Sequence, residues 1–349
     1  MVEDSSPFFP LDPLYLNERR IAALMGVQLF ANELASFAGW NDKRSQHLRS
    51  LRCAEVLGDW IKQFGKDIPS FHAACVTTKI RPRMLFTYEG TLWSRNALAE
   101  RPGVGPLAYA KLQSMGPAGS DLRLHLLLHP DHVVVGSAGR RLKGQLADIF
   151  VLAQVEQVCA GLVEAVPIFI GYLGEYKFMG DFFPAGRNEV FVDSIENFDA
   201  IRDVPPPSAQ ALSALREIPE RDIKVAFAQI IGEADVPKDW GGERSDLYTT
   251  YLRVSGRRIS TAFMFKGAAG GQKFREMQIA DLGKNGDQVE RLCNEPADML
   301  VVQHCNKIGG AVRNTVRAFC NQVGRQRRYC LIPGADTLRV LKAYGKCGL

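Results

Sequence analysis

The chain has 349 residues, of which 46% are hydrophobic and 23% charged, the composition of an ordinary globular protein. It contains no apolar run long enough to cross a membrane, and its acidic start lacks the pattern of a signal peptide, so we expect a cytoplasmic protein with no membrane partner. The net charge of +5 is uneven: residues 211–349 carry 22 Lys and Arg against 15 Asp and Glu, whereas residues 1–210 carry 21 against 23.

The first two hundred residues are predicted to form an α+β region. Apolar residues at helical spacing predict helices over 14–39, 43–64 and 140–165, and apolar runs predict strands over 70–89, 122–128, 132–135, 167–173 and 188–193. The acidic balance of this region argues against it as the main binder of nucleic acid. We expect it to bind a partner protein, to sense a ligand or to form a homodimer.

Three consecutive prolines within Asp203–Ser208 mark the best candidate for a domain boundary, because they end helices and strands. This predicts an N-terminal domain over 1–203, a linker over 204–212 and a second domain over 213–349.

The second domain has a clear order of predicted elements. Helices are expected over 219–232, from about 286, over 309–323 and over 335–344, and strands over 246–254, 258–266, 299–303 and 329–332. Two antiparallel strands followed by alternating strands and helices predict an α/β domain, a mixed sheet with helices on both faces.

Asp246 and Lys266 are the residues that best indicate chemistry. Asp246 starts one predicted strand and Lys266 ends the next, and a Ser255-Gly256 turn joins the two strands. In such a hairpin the carboxylate and the lysine would face each other. Metal-dependent nucleases use this combination to hold a divalent ion and a water beside a phosphodiester.

The order helix, hairpin, helix and buried strand, together with Asp246 and Lys266, resembles the PD-(D/E)xK superfamily of restriction-endonuclease-like nucleases. The resemblance covers about residues 215–335. It implies hydrolysis of phosphodiester bonds, with DNA as the expected substrate, and a role in bacterial restriction or defence. In that superfamily the second motif is an acid, any residue and a lysine, whereas this chain has Met264-Phe265-Lys266.

Another element would therefore have to supply the second carboxylate. Glu243 is the first choice, because the glycines at 241 and 242 allow close approach of the backbone. Glu233 on the preceding helix is an alternative, as are three acids that follow the lysine, Glu276, Asp281 and Asp287. Gln303 and His304 end a buried strand and could point into the same site.

The resulting hypothesis assigns each residue a role. Asp246 and Glu243 would hold Mg²⁺ or Mn²⁺, and Lys266 would position or deprotonate the attacking water. The phosphates of the nucleic acid would be bound, without recognition of base sequence, by Arg257, Arg258, Lys273 and Lys284. Gln288 would lie at the rim of the site, against the nucleic acid.

Two alternatives stay open. A nuclease fold that has lost catalysis would serve as a DNA-binding module, and Met264 in place of the acid favours that interpretation. A structural or assembly subunit would use the basic face for a protein partner instead.

Overall fold

The computed structural model describes residues 11–37, 42–95, 107–113, 115–116, 120–134, 142–173, 188–234, 236, 243–268, 274–283, 286–322 and 325–349. The chain divides into two compact units, one comprising residues 1–186 and 322–325 and the other residues 187–321 and 326–349. The proline segment over 203–208, where the boundary was predicted, thus lies within the second unit.

The first unit combines helices with a six-stranded sheet among its described residues. Its strands are β1 (Leu11–Leu16), β2 (Leu85–Arg95), β3 (Leu107–Leu112), β4 (Leu122–Leu127), β5 (Gly144–Cys159) and β6 (Leu162–Leu173). Its helices are α1 (Glu18–Met25), α2 (Val27–Glu33), α3 (Lys43–Phe64) and α4 (Phe71–Val76).

Five of these strands close into a barrel in the order β2-β3-β4-β6-β5, because β5 pairs with both β2 and β6. The β4–β6 pair is parallel and the other pairs in the ring are antiparallel. Strand β1 adds to the far end of β6, where Leu11 pairs with Leu173. Alternate residues of β3 and β4 are buried, as expected for side chains that fill a closed barrel.

Several predictions for this unit are wrong. The predicted helix over 140–165 is β5 and the start of β6, joined at Gly161 with a φ of 72°. Its apolar run at 149–152 is rich in β-branched and aromatic residues, which favour strands, and the pairing with two neighbours overrides the helical spacing.

The boundaries were also misplaced elsewhere in this unit. The predicted helix over 14–39 is β1, α1 and α2, interrupted at Gly26 with a φ of 94°. Residues 71–76 form α4 rather than a strand, and the Ser70 side chain caps that helix by accepting from the Ala73 amide. The predicted strand over 188–193, which belongs to the second unit, is reduced to one bridge, between Glu189 and Tyr329.

The second unit follows the predicted order of elements. These are α5 (Glu220–Ile231), β7 (Leu247–Val254), β8 (Arg257–Met264), α6 (Asp287–Cys293), β9 (Met299–Gln303), α7 (Gly310–Cys320), β10 (Arg328–Ile332) and α8 (Gly334–Ala343). The sheet order is β10-β9-β8-β7, with β7 antiparallel to β8 and the other pairs parallel. The unit is therefore a mixed α/β structure.

Side-chain alternation gives the two faces of this sheet different partners. Phe263, Met299 and Val301 share one apolar core with buried residues of α5 and α8. Leu300 and Val302 of β9 point to the opposite face. Helices α6 and α7 lie on that side, and their buried apolar residues are not part of the first core.

Candidate active site

Asp246, Lys266, Gln303 and His304 lie at one edge of the second unit's sheet. Leu247 pairs with Phe263, Met264 with Val302, and Ile332 with Gln303. The amino end of β7 therefore meets the carboxyl ends of β8, β9 and β10, because β7 alone runs antiparallel to its neighbour. In open α/β sheets this edge is where ligands commonly bind.

Asp246 is held against the strand that leads to Lys266. Its amide donates to the Phe263 carbonyl over 2.9 Å, and its Oδ2 accepts from the Phe265 amide over 2.6 Å. A carboxylate that accepts a backbone N–H at this distance makes a strong, charge-assisted hydrogen bond. The hairpin thus places Asp246 beside the residue that precedes the lysine.

The backbone of Lys266 is fixed on both sides. Its amide donates to Gln303 Oε1 over 3.4 Å, and its carbonyl accepts from the Cys305 amide over 3.0 Å. The rings of Phe263 and Phe265 stack in the core with an interplanar angle of 4°. Alternation therefore directs the half-buried Lys266 side chain to the other face, on the same side as Met264.

Gln303 and His304 occupy the end of β9. Gln303 is fully buried, and its Nε2 donates to Thr337 Oγ1 in α8 over 3.0 Å, so it links the strand end to a helix and to the Lys266 amide. His304 Nδ1 accepts from the Asn306 amide over 3.0 Å. Burial is the main cause that lowers the pKa of the His304 imidazole below its usual 6.5; the Asp281 charge opposes this effect, and the Arg275 and Lys266 charges add to it, so the ring is largely neutral at pH 7.

A small cavity of about 60 Å³ lies next to Asp246. Its lining residues are Glu243, Arg244, Ser245, Asp246, Met264, Gln288 and Arg291. Gln288 Oε1 is buried there, and no described residue donates a hydrogen bond to it. A buried amide oxygen without a hydrogen bond lowers the free energy of unfolding by about 1–3 kcal/mol. This atom is therefore a candidate ligand for an ion or a water.

Contacts with α6 hold the segment that carries Glu243. Arg291 Nη1 donates to the Glu243 carbonyl over 3.0 Å, and Ser245 Oγ donates to Glu295 Oε1 over 2.9 Å. Arg291 also forms an ion pair with Asp287, one turn earlier on α6, at 3.3 Å. Arg291 therefore brings positive charge to the cavity, which the sequence did not indicate because the residue lies on an ordinary amphipathic helix.

The other candidate acids do not line this cavity. Asp281 receives two hydrogen bonds of 2.8 Å from Arg275, and Asp287 is paired with Arg291. Glu233 follows the carboxyl end of α5, and Glu276 lies before the short 3₁₀ helix Ile279–Leu282. Of the predicted acids, the structure brings Asp246 and Glu243 to the cavity.

The predicted phosphate-binding residues are dispersed. Arg257 and Arg258 start β8, whereas the site lies at its other end, about 25 Å away along an eight-residue strand. Arg258 instead stacks over the Tyr251 ring, with 5.2 Å from its guanidinium carbon to the ring centroid. These two arginines therefore lie away from the cavity, and their contact with phosphates stays a prediction. Lys273 and Lys284 lie outside the described residues.

The donor set of the cavity fits a hard divalent cation. No three His, Cys, Asp or Glu side chains form a metal-binding group within the part of the chain that the structure describes. The cavity is nevertheless lined by two acidic residues, Asp246 and Glu243, beside Arg244 and Arg291, and Gln288 Oε1 has no hydrogen-bond partner among the described residues. Mg²⁺ prefers oxygen ligands, binds through one or two carboxylates and keeps several waters, so the residues present suit it.

No protein-family model, curated protein or solved structure matches this chain. Over the described ranges, none of the helices is both long and apolar enough to span a membrane.

Proposed function

We propose that the second unit is a divalent-metal-dependent nuclease that hydrolyses phosphodiester bonds, with DNA as the expected substrate. The observation that carries this proposal is the cavity at the sheet edge. Asp246, Glu243 and the unpaired oxygen of Gln288 line it, and the side chain of Lys266 is directed to the same face. The resemblance of the motif order to restriction-endonuclease-like nucleases supports the same chemistry.

Each residue of the site has a role that its position allows. Asp246, Glu243 and Gln288 would hold Mg²⁺, which when bound polarises the phosphate and stabilises the leaving oxyanion. Lys266 would orient the attacking water and offset the charge that develops on the phosphate. Arg244 and Arg291, which also line the cavity, would attract the phosphate.

The proposal is tested by incubating the purified protein with plasmid DNA and single-stranded DNA in Mg²⁺, Mn²⁺ or EDTA. We expect cleavage with either metal and none in EDTA. Lys266→Ala should lower the rate by about 100-fold or more, as the loss of one electrostatic stabiliser commonly does. Lys342→Ala, which removes an exposed lysine of α8, is the matched control and should cleave like the wild type.

Met264 favours a second candidate function, a DNA-binding module without catalysis. Its side chain is 4% exposed and lines the cavity, so the departure from the superfamily motif removes a carboxylate from the site itself. A site with fewer anionic ligands binds Mg²⁺ more weakly. DNA binding that persists without cleavage in any metal would reject the nuclease and support this module.

A further inference from the structure

The outer surface of the barrel in the first unit carries a row of aromatic side chains. Trp93 of β2 pairs with Tyr109 of β3, Tyr109 pairs with His125 of β4, and His125 pairs with Glu164 of β6. The residues that flank Tyr109 and His125 on their own strands are buried inside the barrel. Alternation therefore places the whole row on the outside of the barrel.

The side chains of this row are partly or largely accessible to solvent. Trp93 is 44% exposed, Tyr109 and His125 are half-buried, and the rings of Tyr109 and His125 meet edge to face with centroids 6.3 Å apart. Burial lowers the pKa of the His125 imidazole, an effect that the Arg123 charge adds to and the Glu164 charge opposes. The ring is therefore largely neutral at pH 7, and the row offers aromatic faces of three side chains.

Two cations flank the aromatic row on one side. Lys111 and Arg123 pair across β3 and β4, each two residues from an aromatic side chain of the row, and both are exposed. Neither forms an ion pair with another described residue. On the other side of the row the strands carry the apolar pair Leu107 and Leu127. Glu164 places one negative charge at the β6 end.

We propose that this face binds single-stranded nucleic acid, with bases stacked on Trp93 and Tyr109 and the phosphate backbone held by Lys111 and Arg123. Aromatic side chains on a sheet beside a positively charged track are the usual platform for single strands, because every base has a face that can stack. Small closed barrels commonly present such a platform on their outer strands. The proposal does not depend on the nuclease proposed for the second unit.

The acidic balance of the first 210 residues argued against this region as the main binder of nucleic acid, and the present proposal differs from that expectation. The net charge of −2 over residues 1–210 averages the whole region, whereas a backbone of phosphates responds to charge within about 10 Å at ordinary ionic strength. Beside the row, Lys111 and Arg123 are balanced by Glu164 and by the exposed Asp121, two residues before Arg123. The two cations would therefore act through direct contact with phosphates, not through an excess of positive charge.

The test uses the full chain in EDTA, so that metal-dependent cleavage does not interfere. The probes are fluorescently labelled oligomers of thymidine and of uridine, about 12 nucleotides long, and an abasic oligomer of equal length. Trp93→Ala should weaken binding of the base-carrying oligomers by about tenfold and leave the abasic one unchanged. Trp93→Phe keeps an aromatic face and should bind within about twofold of the wild type.

Two further variants separate stacking from charge. Lys111→Ala with Arg123→Ala should weaken all three probes and reduce the slope of log affinity against log salt by about 1.4. Phe64→Ala, which removes a side chain of α3 that is also 44% exposed, is the control for loss of an exposed ring and should have no effect.

Tryptophan fluorescence reports occupancy of the face even if the second unit also binds the oligomer. The thymidine oligomer should quench the wild type, the abasic oligomer should not, and the quenched component should disappear in Trp93→Phe. Quenching that is equal in the wild type and Trp93→Phe would overturn the proposal. Binding of the base-carrying oligomers that Trp93→Ala leaves unchanged would do so as well.

Discussion

Replacing Asp246 by Asn or by Ala separates a structural carboxylate from a metal ligand. In the structure its Oδ2 accepts the Phe265 amide over 2.6 Å, at the edge of the cavity. Asn keeps an oxygen that can accept this hydrogen bond but has no charge. Ala removes both the charge and the acceptor, and leaves the Phe265 N–H unpaired.

The expected loss of stability depends on whether each variant keeps the hydrogen bond from the Phe265 amide. A hydrogen bond to a charged group contributes about 1.5–3 kcal/mol and a neutral one about 0.5–1.5 kcal/mol. Asp246→Asn should therefore lower the free energy of unfolding by about 1 kcal/mol, and Asp246→Ala by about 2–3 kcal/mol. For a unit of this size, each kcal/mol lowers the melting temperature by about 2–4 °C. Both variants should reduce metal-dependent cleavage by about 100-fold or more.

Scanning calorimetry of the full chain, which can resolve the transitions of the two units, measures the stabilities, and plasmid cleavage measures the activity. The reasoning predicts that Asn nearly preserves the fold and removes the activity. An Asn variant that cleaves like the wild type would show that Asp246 serves the fold alone. Equal destabilisation by Asn and Ala would refute the role assigned to the hydrogen bond with Phe265.

Three further predictions concern the same edge of the sheet. Met264→Glu should lower the Mg²⁺ concentration that gives half-maximal cleavage, because it adds a carboxylate to the cavity. Cleavage measured over a range of Mg²⁺ concentrations checks this, with Met264→Leu as the control. A half-maximal concentration equal to that of the wild type would contradict the prediction. Gly267→Ala should lower the free energy of unfolding by about 1–3 kcal/mol, because the alanine Cβ would lie 2.8 Å from the Glu220 backbone. A melting temperature equal to that of the wild type would exclude that clash. The pKa of His304 is lowered in the folded state, so the unfolded chain takes up the proton first, and the free energy of unfolding should fall as the pH drops below 6.5. Denaturation measured across pH 5–8 should show a smaller dependence of stability on pH for His304→Asn. An equal dependence in the variant and the wild type would rule out this linkage.

The second unit could be predicted from sequence because its signals are local and agree with one another. The Ser255-Gly256 turn fixed the hairpin, with φ of 53° and 76° at these residues, and the short apolar run 299–303 was flanked by polar segments. Each element predicted over residues 213–349 is present in the structure in the expected order.

The barrel could not be predicted because its strands are defined by partners distant in sequence. Strand β5 has the apolar spacing of a helix, and only pairing with β2 and β6 makes it a strand. The spacing of apolar residues within β5 carries no information on that pairing, since its partners in β2 lie 50 to 69 positions away in the sequence.

The candidate site was only partly predictable. Hairpin register predicted Asp246 near Lys266, and Glu243 was chosen for the glycines before it. Asp246 and Glu243 line the cavity, and Lys266 follows β8 at the same edge of the sheet without lining it. Arg257 and Arg258 were chosen for charge alone, and strand length takes them away from the site. Arg291 was missed because its approach depends on how α6 packs, which periodicity does not specify.

The hydrogen bonds around Lys266 determine which part of this residue can move. The amides of Phe265, Lys266 and Gly267 donate to side chains from three different elements: Asp246 before β7, Gln303 of β9 and Glu220 of α5. The Cα of the lysine is thereby held in place, and its amine can move only by rotation about the side-chain bonds. A ligand must approach to within the length of that side chain, and the entropy lost when the amine is ordered is limited to the side chain, about 2 kcal/mol at most.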